Sequence, residues 1–225
     1  MEITLYHGSE KIVERPMFGE GKIHNDYGRG FYCTEHLELA KEWASQTKKG
    51  GFANEYRLSF DGLSVLNLNT KPYNILNWLA VLLENRIVDV RAPLTKAAQK
   101  YVIANFLPEY KSADIIIGYR ADDSYFSFSR NFLENTISLA QLQRAMHLGA
   151  LGEQVFLQSE AAFSKICFER AIPADGSIYY PLRKARDHEA KEAYYRILSE
   201  TFDINAPTLL DIIRQNWKND DPRLF

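Results

Sequence analysis

Two short segments of this chain carry residue types that can do chemistry together. The first is Leu5-Tyr6-His7-Gly8-Ser9, a histidine at the end of an alternating apolar stretch and followed at once by glycine. The second is Asp26-Tyr27-Gly28-Arg29-Gly30-Phe31-Tyr32-Cys33-Thr34, which runs into a segment carrying Ala40 and Trp43. A glycine at a strand end lets backbone amide and carbonyl approach a planar ligand, because no Cβ intervenes. The pair Gly28 and Gly30 allows a close approach ahead of a short strand that ends in aromatic residues. Tyr32 and Trp43 lie across a strand-to-helix turn, so both rings can line one slot. Two rings and a free backbone edge suit a flat aromatic amide such as nicotinamide.

The elements that must position these residues follow from periodicity. Ile3, Leu5 and His7 share one face of an opening strand. Residues 14–30 form a loop with turns. Leu37, Ala40, Trp43 and Ala44 recur at helical spacing from Glu35 to about Gln46, and Lys48-Lys49-Gly50-Gly51 ends that helix. Strands are expected at 54–60 and 64–68, joined by the turn Asp61-Gly62, then helices at 74–86 and 95–107 and a buried strand at 114–119. A helix over 132–148, with Ser138 capping its second part, precedes a strand at 154–158, a helical turn at 160–163 and a strand at 165–171. Pro173-Ala174-Asp175-Gly176 breaks the pattern, and helices return at 187–201 and 207–217, with Pro207 suited to a first helical position. The mixed order predicts an α+β fold rather than a doubly wound sheet.

The two segments resemble the histidine and Gly-x-Gly-x-Tyr motifs of ADP-ribosyltransferases of the diphtheria-toxin and poly-ADP-ribose-polymerase type. The likeness is closest to small bacterial members that begin Leu-Tyr-His-Gly-Ser, and it covers residues 5–43 best. It implies an ADP-ribosyltransferase-like fold of split antiparallel sheets with inserted helices. It divides the chain into an NAD-binding domain over 1–172 and a helical C-terminal extension over 173–225. It implies that His7 binds the adenosine ribose, that Gly8 meets the nicotinamide carboxamide through its backbone, and that Tyr32 and Trp43 stack on the ring. Ser9, Gly30 and Arg29 belong to the same expected binding set, and Ala40 stands where the polymerases have a serine. The family's catalytic glutamate falls in Gly152-Glu153-Gln154-Val155-Phe156-Leu157. Alternation along the strand lets only one of Glu153 and Gln154 face the slot, and the apolar register favours Gln154. A glutamate restored at 154 is then expected to leave folding intact and activity unchanged or raised. A neutral amide lacks the charge that stabilises an oxocarbenium-like centre, so Asp122 and Asp123 are candidate compensating acids.

The implied activity is transfer of ADP-ribose from NAD to a macromolecular acceptor, protein or nucleic acid, as a bacterial toxin or defence effector with an antitoxin as possible partner. The alternatives are an NAD glycohydrolase and a non-catalytic NAD-binding interaction module. Arg15, Lys22 and Arg29 are placed to meet a pyrophosphate, although charged loops are usually solvated. The run Arg183-Lys184-Ala185-Arg186 reads as a solvated linker. His24 and His36 read as surface residues, and His147 and His188 lack metal-ligand companions, so no metal is expected. No Gly-x-Gly-x-x-Gly opens a helix, which argues against a dinucleotide-binding fold of the doubly wound kind.

Composition bounds these readings. The chain has 225 residues, 46% hydrophobic and 25% charged, with a formal net charge of −2, so no global field draws it to nucleic acid or anionic lipid. No apolar run approaches the ~20 residues that span a membrane. Cys33 and Cys167 are expected as buried free thiols of a cytoplasmic protein, with a Cys33–Cys167 bridge as the alternative.

Overall fold

The computed structural model describes residues 1–88, 90, 92–121, 123–148, 153–200, 203 and 205–225, with the side chains of 123–126 left aside. In chain order the elements are β1 (Glu2–Ser9), β2 (Phe31–Cys33), α1 (Leu37–Ala44), β3 (Gly51–Ser59), β4 (Val65–Asn67), α2 (Ile75–Asn85), α3 (Pro93–Phe106) and β5 (Ile115–Tyr119). They continue with α4 (Asp123–Leu133), α5 (Leu139–Met146), β6 (Glu153–Leu157), α6 (Glu160–Ser164), β7 (Ile166–Ala174), α7 (Gly176–Ser199) and α8 (Leu209–Arg214). The fold is α+β, with two sheets ordered β1-β3-β7 and β2-β6-β5-β4.

The first sheet is antiparallel throughout. The second is not: β4 pairs with β5 in parallel, which corrects the expectation of antiparallel sheets alone. A parallel pair needs a long crossover, and α2 and α3 supply it. The expected β3–β4 hairpin is absent for a related reason. The Asp114 carboxylate accepts from the Ser64 amide at 2.8 Å and from its hydroxyl at 2.9 Å, which draws the chain beyond Gly62 into register with β5. The two sheets are joined where Tyr6 and Thr34 exchange backbone hydrogen bonds of 2.8 and 3.0 Å. That bridge sets the end of β1 beside β2 and so brings the two motifs together.

Alternation in β5 and β6 splits the core. Ile115, Val155 and Leu157 face Leu5, Phe31, Tyr56 and Leu58 between the sheets. Ile116 and Phe156 face the helical layer with Tyr27, Trp78, Phe106, Phe128 and Phe132. A strand covered on both faces explains the unbroken Ile115-Ile116-Ile117 run. The tail shares this second core: Ala190, Tyr194 and Ile197 of α7 and Leu209 and Ile212 of α8 are buried, and the last four pack into the helical cluster.

Three helix boundaries differ from those expected. The helix expected over 132–148 is two, because Asn135 adopts a left-handed φ of 63° before Ser138 caps α5 by accepting from the Gln141 amide. β7 runs through Pro173 to Ala174, since it is an edge strand where a missing N–H breaks no ladder. Asp175 then caps α7 directly, so the run 183–186 lies within a helix and is no linker. Near the end Thr208, not Pro207, opens α8, in a capping box with Asp211. Cys33 is buried as expected, whereas Cys167 is exposed on β7, and both are free thiols. No described helix is long and apolar enough to cross a membrane.

Candidate functional site

A cavity of about 260 Å³ opens where the two sheets meet, and five of the expected residues line it: His7, Gly8, Tyr32, Trp43 and Gln154. Three separate stretches of chain therefore converge. Gly8 is required by packing, because a Cβ built there would lie 2.0 Å from the Ala40 carbonyl oxygen and 2.8 Å from the Trp43 Cβ. The missing side chain lets α1 press against the end of β1, which carries Trp43 to the cavity wall. Gly28 takes a φ of 93°, suited to glycine, and Gly30 lies where a Cβ would meet the Leu157 carbonyl at 2.3 Å.

His7 has its tautomer set by a neighbour. Its Nδ1 is 2.8 Å from the Tyr32 carbonyl oxygen, which can only accept, so Nδ1 carries the proton and Nε2 is a bare acceptor. Burial pushes the imidazole pKa down from 6.5, which keeps the ring neutral, and the ring stacks on Phe31 at 4.4 Å. A neutral imidazole presenting Nε2 suits a hydroxyl donor. Because the folded pKa lies below the unfolded one, the unfolded chain takes up a proton first as pH falls. The contribution of His7 to stability is thus present above about pH 6.5 and is lost as pH falls through the folded value. Melting temperatures followed from pH 8 to 5 should show this decline in the parent, and His7→Gln should remove that component. Identical pH profiles for the two proteins would refute the neutral-histidine assignment.

Tyr32 contributes its ring and not its acidity. The phenol donates to the Gly28 carbonyl at 2.6 Å and accepts from the Tyr27 amide at 3.1 Å. Burial raises its pKa far above the ordinary tyrosine range. The ring packs on Phe156 with centroids 4.6 Å apart. Trp43 lies under the Arg120 guanidinium, 4.2 Å from the ring centroid, and its buried Nε1–H has no hydrogen-bond partner among the described residues.

Gln154 is 3% exposed, whereas Glu153 is exposed to solvent. Strand alternation thus turns Gln154 toward the cavity and Glu153 away from it. The Gln154 Nε2 donates to Asp26 Oδ2 at 3.0 Å. Since a carboxylate only accepts, this contact fixes which way the amide points and leaves Oε1 as an oriented acceptor.

Asp26 and its partners are what the sequence reading missed. This carboxylate, also 3% exposed, accepts from Arg86 Nε and Nη2 at 2.9 and 2.6 Å and from the Ala121 amide at 2.9 Å. Arg86 is the C-terminal cap of α2. Next to Asp26, Tyr27 donates to the Tyr119 carbonyl at 2.6 Å and accepts from Trp78 Nε1 at 3.1 Å. The loop before β2 is thereby bolted to α2 and to the end of β5. Asp26 stands within the second motif, so its position was in view, but nothing local marks Arg86, 60 positions away, as its partner.

Other expected residues stand elsewhere. Ser9 hydrogen-bonds the Lys11 carbonyl and the Asn54 amide. Arg29, Arg15 and Lys22 are exposed and do not line the cavity; its cations are Arg86, Arg120 and Arg183. Asp122 lies outside the described residues, as does the side chain of Asp123.

A comparison with curated proteins finds no match, and neither does a comparison with solved structures. A protein family described as "Protein of unknown function (DUF3990)" matches residues 3–168, a span that holds both motifs, β6 and the Asp26–Arg86 pair. With most of its length so matched, the chain belongs to the DUF3990 family.

Proposed function

We propose that this protein is an ADP-ribosyltransferase that uses NAD as its ADP-ribose donor and a macromolecule as acceptor. The observation that carries the reading is the convergence of His7, Tyr32, Trp43 and Gln154 on one cavity. In this reading the neutral His7 Nε2 accepts from a ribose hydroxyl, and Tyr32 and Trp43 hold the nicotinamide ring. The bond between C1′ and the nicotinamide nitrogen breaks, and its electron pair leaves with neutral nicotinamide. The acceptor nucleophile forms the new bond to C1′ and releases its proton to solvent. Gln154 Oε1 accepts from a hydroxyl of the ribose that becomes cationic. Asp26, hydrogen-bonded to the other end of the amide at 3.0 Å, holds Oε1 toward that hydroxyl, while its own charge is paired with Arg86 at 2.6 Å. The ADP-ribosyltransferase-like fold implied by the motifs belongs to the same proposal.

The neutral amide at 154 favours a second reading, a non-catalytic module that keeps the NAD pocket. Transfer of label from NAD to macromolecules of a lysate, as against release of free ADP-ribose or no turnover, separates transferase, hydrolase and module. Binding is tested first. NAD or nicotinamide at millimolar concentration, equivalent to about 4 kcal/mol of binding, should quench Trp43 and raise the melting temperature. Trp43→Phe should remove the quench, since Trp78 and Trp217 are buried outside the cavity. An unchanged emission and melting temperature would exclude the pocket.

A further inference from the structure

Beside the first cavity lies a second of about 310 Å³, between α1 and α7. The two share Trp43, Gln46, Arg120 and Arg183, so the Arg120–Trp43 stack is the partition between them. The second cavity is markedly basic. Arg120, Arg183, Lys184, Arg186 and Lys191 line it against two carboxylates, Glu42 and Asp187.

Those carboxylates are already engaged. Glu42, 4% exposed, takes Arg186 through two hydrogen bonds of 2.7 Å, which clamps α7 to α1. Asp187 pairs with Lys191 at 2.7 Å. Arg183 and Lys184 have no carboxylate partner among the described residues. Lys184 instead lies over the Tyr180 ring, 4.7 Å from its centroid. The wall therefore combines guanidinium and ammonium groups with an aromatic face, in a protein whose net charge is −2. A local excess of this kind is not a consequence of composition. Apart from Arg120, these cations also lie outside the family-matched span, which ends at 168 before α7 begins at Gly176.

The geometry points to the α1–α7 cavity as the binding site for a nucleic-acid strand, presented there as the acceptor of ADP-ribose. This rests on the transferase reading above. Guanidinium forks fit phosphate oxygens, and cations set among aromatic rings are how single strands are held, with bases stacking on the rings. An acidic protein would engage the cations alone, whereas a strand offers its bases to the aromatic ring as well. The shared wall puts the strand one residue layer from the cavity assigned to the ribose, which is where an acceptor has to stand.

The test is fluorescence anisotropy of a labelled single-stranded oligonucleotide titrated with the full protein in the absence of NAD. Binding should weaken with salt. Lys184→Glu and Tyr180→Ala, neither of which lines the first cavity, should each weaken it about tenfold or more, and Lys184→Glu should flatten the salt slope by about 0.7–1. The thermal shift induced by NAD is measured in parallel on the same variants and should match that of the parent. Oligonucleotide binding that ignores both substitutions overturns the proposal. So does displacement of the strand by polyglutamate at equal charge, or loss of the NAD response where strand binding is kept, which would give these cations to the dinucleotide. A parent that binds the strand and shows no NAD response keeps this site and removes the transferase reading instead.

Discussion

Asp26→Ala is expected to destabilise the protein by about 3–5 kcal/mol, the range for removing one partner of a buried ion pair. The carboxylate is 3% exposed and accepts four hydrogen bonds, two from Arg86, one from the Ala121 amide and one from Gln154. Its loss leaves a guanidinium largely out of solvent and two further donors unpaired, each of which costs ~1–3 kcal/mol when buried. These losses do not add in full, because Arg86 keeps its 2.8 Å bond to the Ala121 carbonyl. Asp26→Asn keeps the shape but turns one acceptor into a donor, and should lose less. Urea unfolding of the three proteins is the measurement. A loss below ~1 kcal/mol for Asp26→Ala would mean that the loop before β2 is held by Tyr27 alone, and that Asp26 does not orient Gln154.

Gln154→Glu should produce a protein whose stability falls steeply as pH rises, not a restored enzyme. Taken alone, the strand register suggests that glutamate at this position would be harmless or better. The structure sets Asp26 Oδ2 3.0 Å from the group that would become a carboxylate oxygen. Two carboxylates sharing one buried site cannot both ionise, so the introduced carboxyl retains its proton and its folded pKa rises above the unfolded value of about 4.3. A group with a raised folded pKa contributes stability that is intact below the unfolded value and is lost as pH rises through the folded one. With a folded pKa raised by about two to three, the variant loses about 2–3 kcal/mol against the parent between pH 4 and pH 7. Adding Asp26→Asn should return part of this loss. Gln154→Ala, which introduces no charge, should stay folded and lower turnover tenfold or more, about 1.4 kcal/mol in the barrier. A stability difference between Gln154→Glu and the parent that is flat from pH 4 to 8 would show that the two side chains do not meet.

Much of the local structure was legible in the residues. The alternation Ile3, Leu5, His7 marked β1, the helical spacing of Leu37, Ala40 and Trp43 marked α1, and the apolar run at 114–119 marked β5. Alternation in β6 also identified Gln154, and not Glu153, as the inward residue. In each case neighbours a few positions apart report which face is buried, and burial is what local periodicity encodes. The β3–β4 segment failed because a two-residue turn such as Asp61-Gly62 states only that the chain reverses. Whether it makes a hairpin depended on Asp114, 50 positions from Ser64.

The two motifs, the strand and helix that carry each, and the inward side of β6 are all written in residue patterns a few positions long. Tertiary structure alone decided what surrounds them. It made Asp26 the acid beside Gln154, 128 positions away, assigned the cavity's cations to Arg86, Arg120 and Arg183 in place of Arg15, Lys22 and Arg29, and turned an expected linker into the basic wall of α7. The reason lies in the kind of interaction. Apolar burial is cooperative along an element and leaves a repeating trace in the sequence. A buried carboxylate needs only some cation and some donor, and any arginine that the fold brings within 3 Å satisfies it, so its partner leaves no trace nearby.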